Sequence, residues 1–166
     1  MSRAFTKEDA PSGPVLIPPR APLPPGATNY VTPRGLSLLR AELEKERAVL
    51  DTDDGDEDER KRALAVVAGR LADLEARIGS ARVVTHDPPP AEVRFGATVT
   101  LVTDDGQERR FTIVGVDEAA TAPDRVAFLA PIARAVTGHS VGDTIPLTTP
   151  RGEQRLTVMA VEYDAG

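Results

Sequence analysis

Two stripes of apolar residues at heptad spacing, separated by a short acidic segment, constrain the fold of this chain most. The first stripe consists of Leu36, Leu39, Leu43 and Leu50. The second consists of Leu64, Val67, Leu71, Leu74 and Ile78. Stripes with this period place apolar side chains along one side of a helix, where a partner helix can cover them. Two such helices joined by a short polar turn predict an antiparallel coiled-coil hairpin over residues 30–84.

Local signals mark the ends of the two predicted helices. Thr32 followed by Pro33 predicts an N-cap and a proline in the first helical turn, and Gly79 predicts the end of the second helix. Each arm of the hairpin then contains about 18–21 residues, which corresponds to about 27–32 Å at the rise of an α-helix.

The segment between the stripes, DTDDGDEDE at 51–59, holds seven acidic residues and no basic one. The formal net charge of the chain is −6, so the remainder is close to neutral. Two interpretations stay open: a solvated turn, or a functional cluster that offers carboxylates to a cation at the hairpin tip. A calcium-binding EF-hand loop is excluded. Counting from Asp51 places Gly55 fifth rather than sixth, and Arg62 stands where the last ligand should be.

Composition excludes several classes of site. The chain has no Cys, and its two His residues, His86 and His139, are far apart in sequence. Disulfides, thiolate metal sites and Cys nucleophiles are therefore absent, and little remains for a metal or catalytic site based on His. The sequence contains no apolar run long enough to span a membrane and no apolar segment typical of a secretory signal. We expect a cytoplasmic monomer.

The rest of the chain divides into three parts. Residues 1–29 are rich in proline and predict a disordered or extended tail. Residues 85–91, which include three consecutive prolines, predict a linker. Residues 92–164 alternate apolar and polar positions between turn signals. Strands are predicted over 92–103, 107–118 and 124–131, one short helix at 131–138, and a closing hairpin of two strands at 143–150 and 154–164. The expected fold class is α+β, with a helical hairpin followed by a small, mostly antiparallel β domain.

The sequence resembles the bacterial Gre transcript-cleavage factors and their relative Rnk, which join a coiled-coil hairpin to an FKBP-like domain. The order and spacing of short segments carry this resemblance. In the hairpin these are YVTPRG (30–35) and GRLADLEARIGSARVV (69–84). In the second domain they are FGATVTL (95–101), RRFTIVGVDEA (109–119), PIARAVTGHSVGDTI (131–145), TPRGE (149–153) and VEY (161–163).

The resemblance implies a mode of action on RNA polymerase. The β domain would dock at the rim of the polymerase secondary channel, and the hairpin would present its acidic tip toward the catalytic Mg²⁺. The polymerase's own active site would then cleave backtracked RNA. The resemblance therefore implies that the protein is not an enzyme in its own right and holds no stably bound cofactor. The carboxylates assigned to the metal by this resemblance are Asp53, Asp54, Asp56 and Glu57.

The resemblance also suggests residues for binding. The segment assigned to docking on the polymerase consists of Leu129, Ala130, Pro131, Ala133 and Arg134. The family has an acidic residue and a Ser at the first two of these positions. Arg60, Lys61 and Arg62 would either contact nascent RNA phosphates or offset the acidic segment, and both interpretations stay open.

The hairpin departs from the family pattern in length and in its tip motif. About eighteen residues are missing from the first arm and tip, which shortens the reach by up to about 13 Å. Aligned with the family motif, Asp53 falls at the second essential acid, but Leu50 occupies the position of the first. Three functions therefore remain: stimulation of cleavage, Rnk-like occupation of the channel without cleavage, or a generic protein-interaction module.

Overall fold

A computed structural model describes residues 20–51 and 55–164 and has the expected α+β architecture. Two long helices are followed by a five-stranded sheet with two short helices. The elements in chain order are β1 (Asn29–Val31), α1 (Pro33–Leu50), α2 (Glu57–Ser80), β2 (Ala81–Val83), β3 (Ala97–Thr103), β4 (Glu108–Val114), α3 (Val116–Ala119), β5 (Arg125–Ala127), α4 (Pro131–Val136), β6 (Thr144–Thr149) and β7 (Gly152–Tyr163).

The start of α1 confirms the N-cap prediction. The Thr32 hydroxyl accepts a hydrogen bond from the backbone N–H of Gly35 at 2.9 Å, and Pro33 occupies the first helical position. Proline suits this position because its fixed φ is helical and its missing N–H would have no partner inside the helix. Helix α1 therefore begins where the sequence predicts.

Helix α2 is longer than predicted, partly because the last three of the nine residues in the acidic segment are helical. The Asp56 carboxylate caps the helix by accepting from the Glu59 N–H at 2.8 Å. The next three residues, all acidic, form the first turn of α2. Negative charge there stabilises a helix through the partial positive charge of its N-terminus. This explains part of the acidic segment in purely structural terms.

The other end of α2 corrects the prediction for Gly79. This residue lies inside the helix, which continues to Ser80. The side chain of Asn29 donates to the carbonyl of Arg77 at 2.8 Å and so satisfies one of the last helical acceptors. Because a side chain from β1 supplies this hydrogen bond, the helix ends without a left-handed glycine.

The two long helices run in opposite directions, and the burial of their apolar stripes extends from the base as far as Val67, which is 4% exposed. Leu39 is 2% exposed and Leu74 fully buried. They form one cluster with Val31 and with the partly buried Leu36, Leu43, Ile78 and Ala81. The ion pairs Arg47–Glu75, at 3.6 Å, and Arg70–Glu46, at 3.5 Å, link the helices further along. At the acidic end, by contrast, the seam residues Leu50 and Leu64 are each 40% exposed.

A two-stranded parallel sheet, which the sequence does not predict, joins the base of the helix pair. Asn29, Tyr30 and Val31 of β1 lie opposite the three residues of β2, and the Val84 N–H extends the pairing by donating to the Val31 carbonyl at 2.9 Å. The predicted tail boundary at residue 29 therefore falls inside a strand. Strands of three residues are too short to produce a recognisable alternation.

The five-stranded sheet has the order β5-β4-β3-β7-β6 and is antiparallel except for the β4–β5 pair. A register shift between Thr100 and Leu101 marks a bulge where β3 meets β7. The inner face forms the second core and is covered by α4. The buried residues of this core are Val93, Ala97, Val99, Leu101, Phe111, Ile113, Ala133, Val136, Ile145, Leu156 and Val158.

The segment after β4 corrects the predicted strand over 107–118. Strand β4 ends at Val114, Gly115 is the N-cap residue, and Val116–Ala119 form α3. The domain therefore contains two short helices where one was predicted. Val116 and Glu118 are both buried in this helix. Because residues two positions apart share one face of a strand, a strand would also place these two side chains together, so their pattern does not distinguish the two conformations. Tertiary contacts with the long helices decide between the two conformations.

The loop between β2 and β3 is anchored by Tyr163 at the end of β7. The Tyr163 hydroxyl donates to the Glu92 carbonyl at 2.5 Å and accepts from the Arg94 N–H at 2.9 Å. We expect Tyr163→Phe to lower the free energy of unfolding by about 1–2 kcal/mol, because both hydrogen bonds are lost while the ring remains. Urea unfolding measures this difference, and a loss below about 0.3 kcal/mol contradicts the anchoring role.

The same substitution has a consequence for pH dependence. Burial raises the pKa of the Tyr163 phenol above its ordinary value of 10.0, although the hydrogen bond from Arg94 opposes the shift. The folded state therefore holds the phenol proton more tightly than the unfolded state. The contribution of the protonated phenol to the free energy of unfolding is fully present below the pKa of the unfolded state. It is lost as pH rises through the pKa of the folded state. Part of the wild-type loss of stability at alkaline pH should be absent from Tyr163→Phe.

Candidate functional site

The described part of the hairpin tip is an exposed turn between α1 and α2. Asp51 caps the end of α1, and Gly55 has a φ of +107°, a conformation that L side chains rarely adopt. Asp53 and Asp54, two of the four predicted metal-binding residues, lie outside the described residues. Their assignment stays a prediction.

The other two predicted metal-binding residues already have structural partners. One oxygen of Asp56 caps α2, and Glu57 forms an ion pair with Lys61 at 3.7 Å. Both side chains are exposed, and carboxylate oxygens are ligands that Mg²⁺ prefers. Within residues 20–51 and 55–164, however, no cluster of three or more acidic or His side chains could by itself hold a metal ion. The described tip thus offers exposed carboxylate oxygens, and their binding to a metal stays a prediction.

The basic residues predicted for RNA contact follow the acids directly on α2. Arg60, Lys61 and Arg62 are all exposed, and the Lys61–Glu57 pair shows that one of them offsets the acidic turn. The adjacent opposite charges make the end of the hairpin strongly polar, and contact with RNA stays a prediction.

The predicted docking residues lie together at the start of α4, but they differ in accessibility. Leu129 and Ala130 are half-buried, and Pro131 and Arg134 are exposed. Ala133 is fully buried in the core of the sheet domain, because α4 turns this side chain toward the strands. A partner approaching this segment meets Pro131 and Arg134 rather than Ala133.

Sequence reasoning missed the junction between the helix pair and the sheet domain. Its centre is Glu118 of α3, which is 3% exposed. One carboxylate oxygen accepts a short hydrogen bond from the Thr32 hydroxyl, and the other lies 3.4 Å from Nη1 of Arg125. Thr32 thus caps α1 and contacts the sheet domain at once. The only available signal was an acidic residue soon after an apolar strand, which by itself does not indicate burial.

The neighbouring Asp117 makes a second set of contacts at the junction. Its two carboxylate oxygens bind Arg20 at 3.0 Å and Arg77 at 3.2 Å. Arg20 also binds Glu42 on α1 at 2.6 Å. Burial opposes ionisation of Arg20, but hydrogen bonds to the two carboxylates outweigh it and raise the pKa of the guanidinium. This residue falls within the predicted tail, whose residues 1–19 lie outside the described structure.

A cleft of about 900 Å³ opens between the start of α1 and the sheet domain. Its lining includes Thr32, Arg34, His86, Glu118 and Arg125. Glu118 and Arg125 are occupied with each other, and His86 is hydrogen-bonded to the Phe95 carbonyl at 2.8 Å. These groups complete the junction, and we assign no ligand to the cleft.

No helix in the described ranges combines the length and apolar character needed to cross a membrane.

Comparisons with known proteins match most of the chain. The family model described as "Transcription elongation factor, GreA/GreB, C-term" matches residues 88–163. The chain is 35% identical over 153 residues to transcription elongation factor GreB of Neisseria meningitidis serogroup B, with 81% of this chain and 94% of that protein covered. It is 36% identical over 152 residues to transcription elongation factor GreA of Francisella tularensis subsp. novicida, with 80% and 95% covered.

Solved structures were also compared. Thermus aquaticus Gfh1 aligns at 25% identity and a TM-score of 0.41, with 80% of this chain and 97% of that chain covered. A GreA/GreB elongation factor from Nitrosomonas europaea aligns at 23% identity and a TM-score of 0.41, with 81% and 98% covered.

Proposed function

Because the chain belongs to the GreA/GreB family of transcription elongation factors, we propose that it binds RNA polymerase at the secondary channel and presents its acidic hairpin tip toward the catalytic Mg²⁺. In this proposal the helix pair is an antiparallel coiled coil, and the sheet domain is an FKBP-like docking module. The protein acts through the active site of the polymerase rather than through one of its own.

The observation that carries this proposal is the position of the acidic turn at the end of the helix pair that lies away from the sheet domain. The buried apolar cluster and the junction lie at the base of the pair, whereas the acidic turn lies at its exposed far end. Helix α1 has 18 residues, so the tip stands about 27 Å from the base. Such an arm can carry carboxylates into a channel while the sheet domain stays outside.

The chemistry proposed for the tip requires few groups. Asp53, Asp54, Asp56 and Glu57 would supply oxygen ligands to a Mg²⁺ ion shared with the polymerase, and this ion would activate the water that attacks the RNA. Asp56 can bind with the carboxylate oxygen that does not cap α2. Arg60, Lys61 and Arg62 would then lie where nascent RNA phosphates pass.

Docking is proposed for the segment at the start of α4. Pro131 and Arg134 are exposed there and would make the principal contacts, with Leu129 and Ala130 at their margin. Ala133 would act indirectly, by seating α4 on the core of the sheet domain.

The test is RNA cleavage in a reconstituted, backtracked elongation complex. We expect the wild-type protein to accelerate cleavage, and a variant with Asp53, Asp54 and Asp56 changed to Asn and Glu57 to Gln to lose about tenfold or more of the acceleration. A tenfold loss corresponds to about 1.4 kcal/mol of transition-state stabilisation. If the substitutions weaken only the binding of the metal, the loss of acceleration should persist when the polymerase is saturated with the variant.

A matched control removes the same charge from the sheet domain. Asp104, Glu108, Asp124 and Glu153 are exposed, and their change to Asn or Gln should leave the acceleration intact. Equal losses in both variants would show that only net charge matters, which contradicts the proposed role of the tip.

A second candidate function follows from the exposed seam and the short arm. If the tip stops before the metal, the protein occupies the channel without stimulating cleavage. It then inhibits an added cleavage factor in proportion to its own concentration. A protein that neither accelerates cleavage nor competes for the polymerase is a generic interaction module.

A further inference from the structure

Three parts of the chain converge on the carboxylate of Asp117 in α3. Arg77 reaches it from α2, and Arg20 reaches it from the segment that precedes β1. The side chains of Asp117, Arg77 and Arg20 are only 9%, 14% and 19% exposed, respectively. These charges are therefore screened less by solvent and salt than those of a surface ion pair.

Residues 20–28, which we term the strap, are held by both sides of this junction. Nη2 of Arg77 donates to the carbonyl of Ala21 at 2.7 Å, and Arg20 binds Glu42 of α1 as well as Asp117. A turn closed by the Ala27 N–H and the Pro24 carbonyl, at 3.0 Å, then leads the strap into β1. The strap thus joins both long helices to α3.

Helix α3 is in turn fixed to the sheet domain. It follows β4 directly, and the next strand, β5, pairs with β4. An ion pair made by Asp117 therefore restrains the helix pair relative to the sheet. The adjacent Glu118 restrains only the start of α1, through Thr32.

We propose that Asp117 and Arg20 are positioning residues that fix the direction in which the hairpin projects from the sheet domain. The mechanical consequence comes from the length of the arm. Rotating an 18-residue helix by about 10° about its base moves its far end by about 5 Å. Oxygen–Mg²⁺ distances are about 2.0–2.1 Å, so a displacement of this size separates a carboxylate from its metal.

This inference rests on the proposed function for its effect on cleavage, but its structural part can be measured without polymerase. The chain has no Cys, so cysteines introduced at Ala65 on α2 and Thr148 on β6, both exposed, can carry a pair of spin labels. Pulsed electron–electron double resonance on the full chain then reports the distribution of distances between the label on the hairpin and the label on the sheet domain.

We expect a single narrow distribution for the otherwise wild-type protein and at least a twofold broader one for Asp117→Asn and for Arg20→Ala. Arg20→Lys, which keeps the charge, should restore most of the narrow distribution. Arg110→Ala is the matched control, because it removes an exposed ion pair with Glu162, at 3.2 Å, away from the junction. Circular dichroism verifies that each variant is folded. Arg20→Ala removes a side chain of the strap only and leaves both cores intact.

Distributions for Asp117→Asn and Arg20→Ala that superimpose on the wild-type distribution would overturn the inference. In the cleavage assay, positioning residues affect the rate and not the affinity for the polymerase. Asp117→Asn and Arg20→Ala should therefore lower the maximal acceleration of cleavage and leave the half-saturating protein concentration unchanged. A change in half-saturating concentration alone would instead assign these residues to docking and also overturn it. If even the wild-type protein has no effect on polymerase, the proposed function fails, and the distance measurement still decides the positioning role.

Discussion

Gly115→Ala should lower the free energy of unfolding by about 3 kcal/mol, the largest effect we expect from adding a single methyl group. A Cβ at Gly115 would lie 2.4 Å from the carbonyl oxygen of Tyr30. The obstructing atom belongs to the backbone of β1, so no side-chain rotation relieves the clash. Either β1 moves away from α3 or Gly115 moves out of the junction, and both changes disrupt buried contacts.

Gly79→Ala is the matched control, because it adds the same methyl group at a position where there is space for it. Gly79 lies inside α2, and a Cβ there would meet no atom within 4 Å apart from its chain neighbours and the adjacent backbone of its own helix. Alanine in a helix interior is more favourable than glycine, so the variant should be stabilised by about 0.5–1 kcal/mol. Urea unfolding at constant m-value measures both variants. A Gly115→Ala variant within 0.5 kcal/mol of wild type would contradict the close approach of β1 to α3.

Glu118→Ala should cost about 3 kcal/mol, the second large effect. The substitution leaves the Arg125 guanidinium without its carboxylate and the Thr32 hydroxyl without its acceptor. Removing one member of a buried charged pair costs about 3–5 kcal/mol because the remaining charge stays desolvated. We expect the low end of this range, since the Arg125 side chain is 17% exposed.

Glu162→Ala is the control for this prediction. Glu162 pairs with Arg110 at 3.2 Å, but both side chains are 62% exposed, and such pairs contribute about 0–1 kcal/mol. Combining Glu118→Ala with Arg125→Leu should recover part of the loss, because the uncompensated charge is removed. Equal costs for Glu118→Ala and Glu162→Ala would show that the junction pair is no stronger than a surface pair.

The long helices could be predicted from the sequence because their signals are local and repeated. Thr32 and Pro33 start α1 as expected, and the paired stripes meet through Leu39 and Leu74. The stripes did not reveal how far along the hairpin the two helices pack against each other. Leu50 and Leu64 continue the heptad pattern yet remain exposed, because their burial depends on how closely the helices approach near the tip.

The candidate site was predictable in its chemistry but not in its surroundings. The acidic segment is evident from its composition, whereas the capping role of Asp56 depends on where α2 begins. Ala133 matches a docking motif by its identity, but the orientation of α4 places it in the core. Arg20 looks like part of a proline-rich tail and instead joins two elements, α1 and α3. Its partners are 22 and 97 residues away in the chain.

The sequence by itself determined the two long helices, the acidic turn between them, the α+β class and membership of the GreA/GreB family. These properties follow from local periodicity, from capping residues and from the order of short segments. Only the tertiary structure decided the junction: the β1–β2 pair, the helical conformation of α3 and the opposed charges around Asp117 and Glu118. The physical reason is that these features exist only once distant segments are brought together, since a three-residue strand or a single buried carboxylate is stable only with its partners.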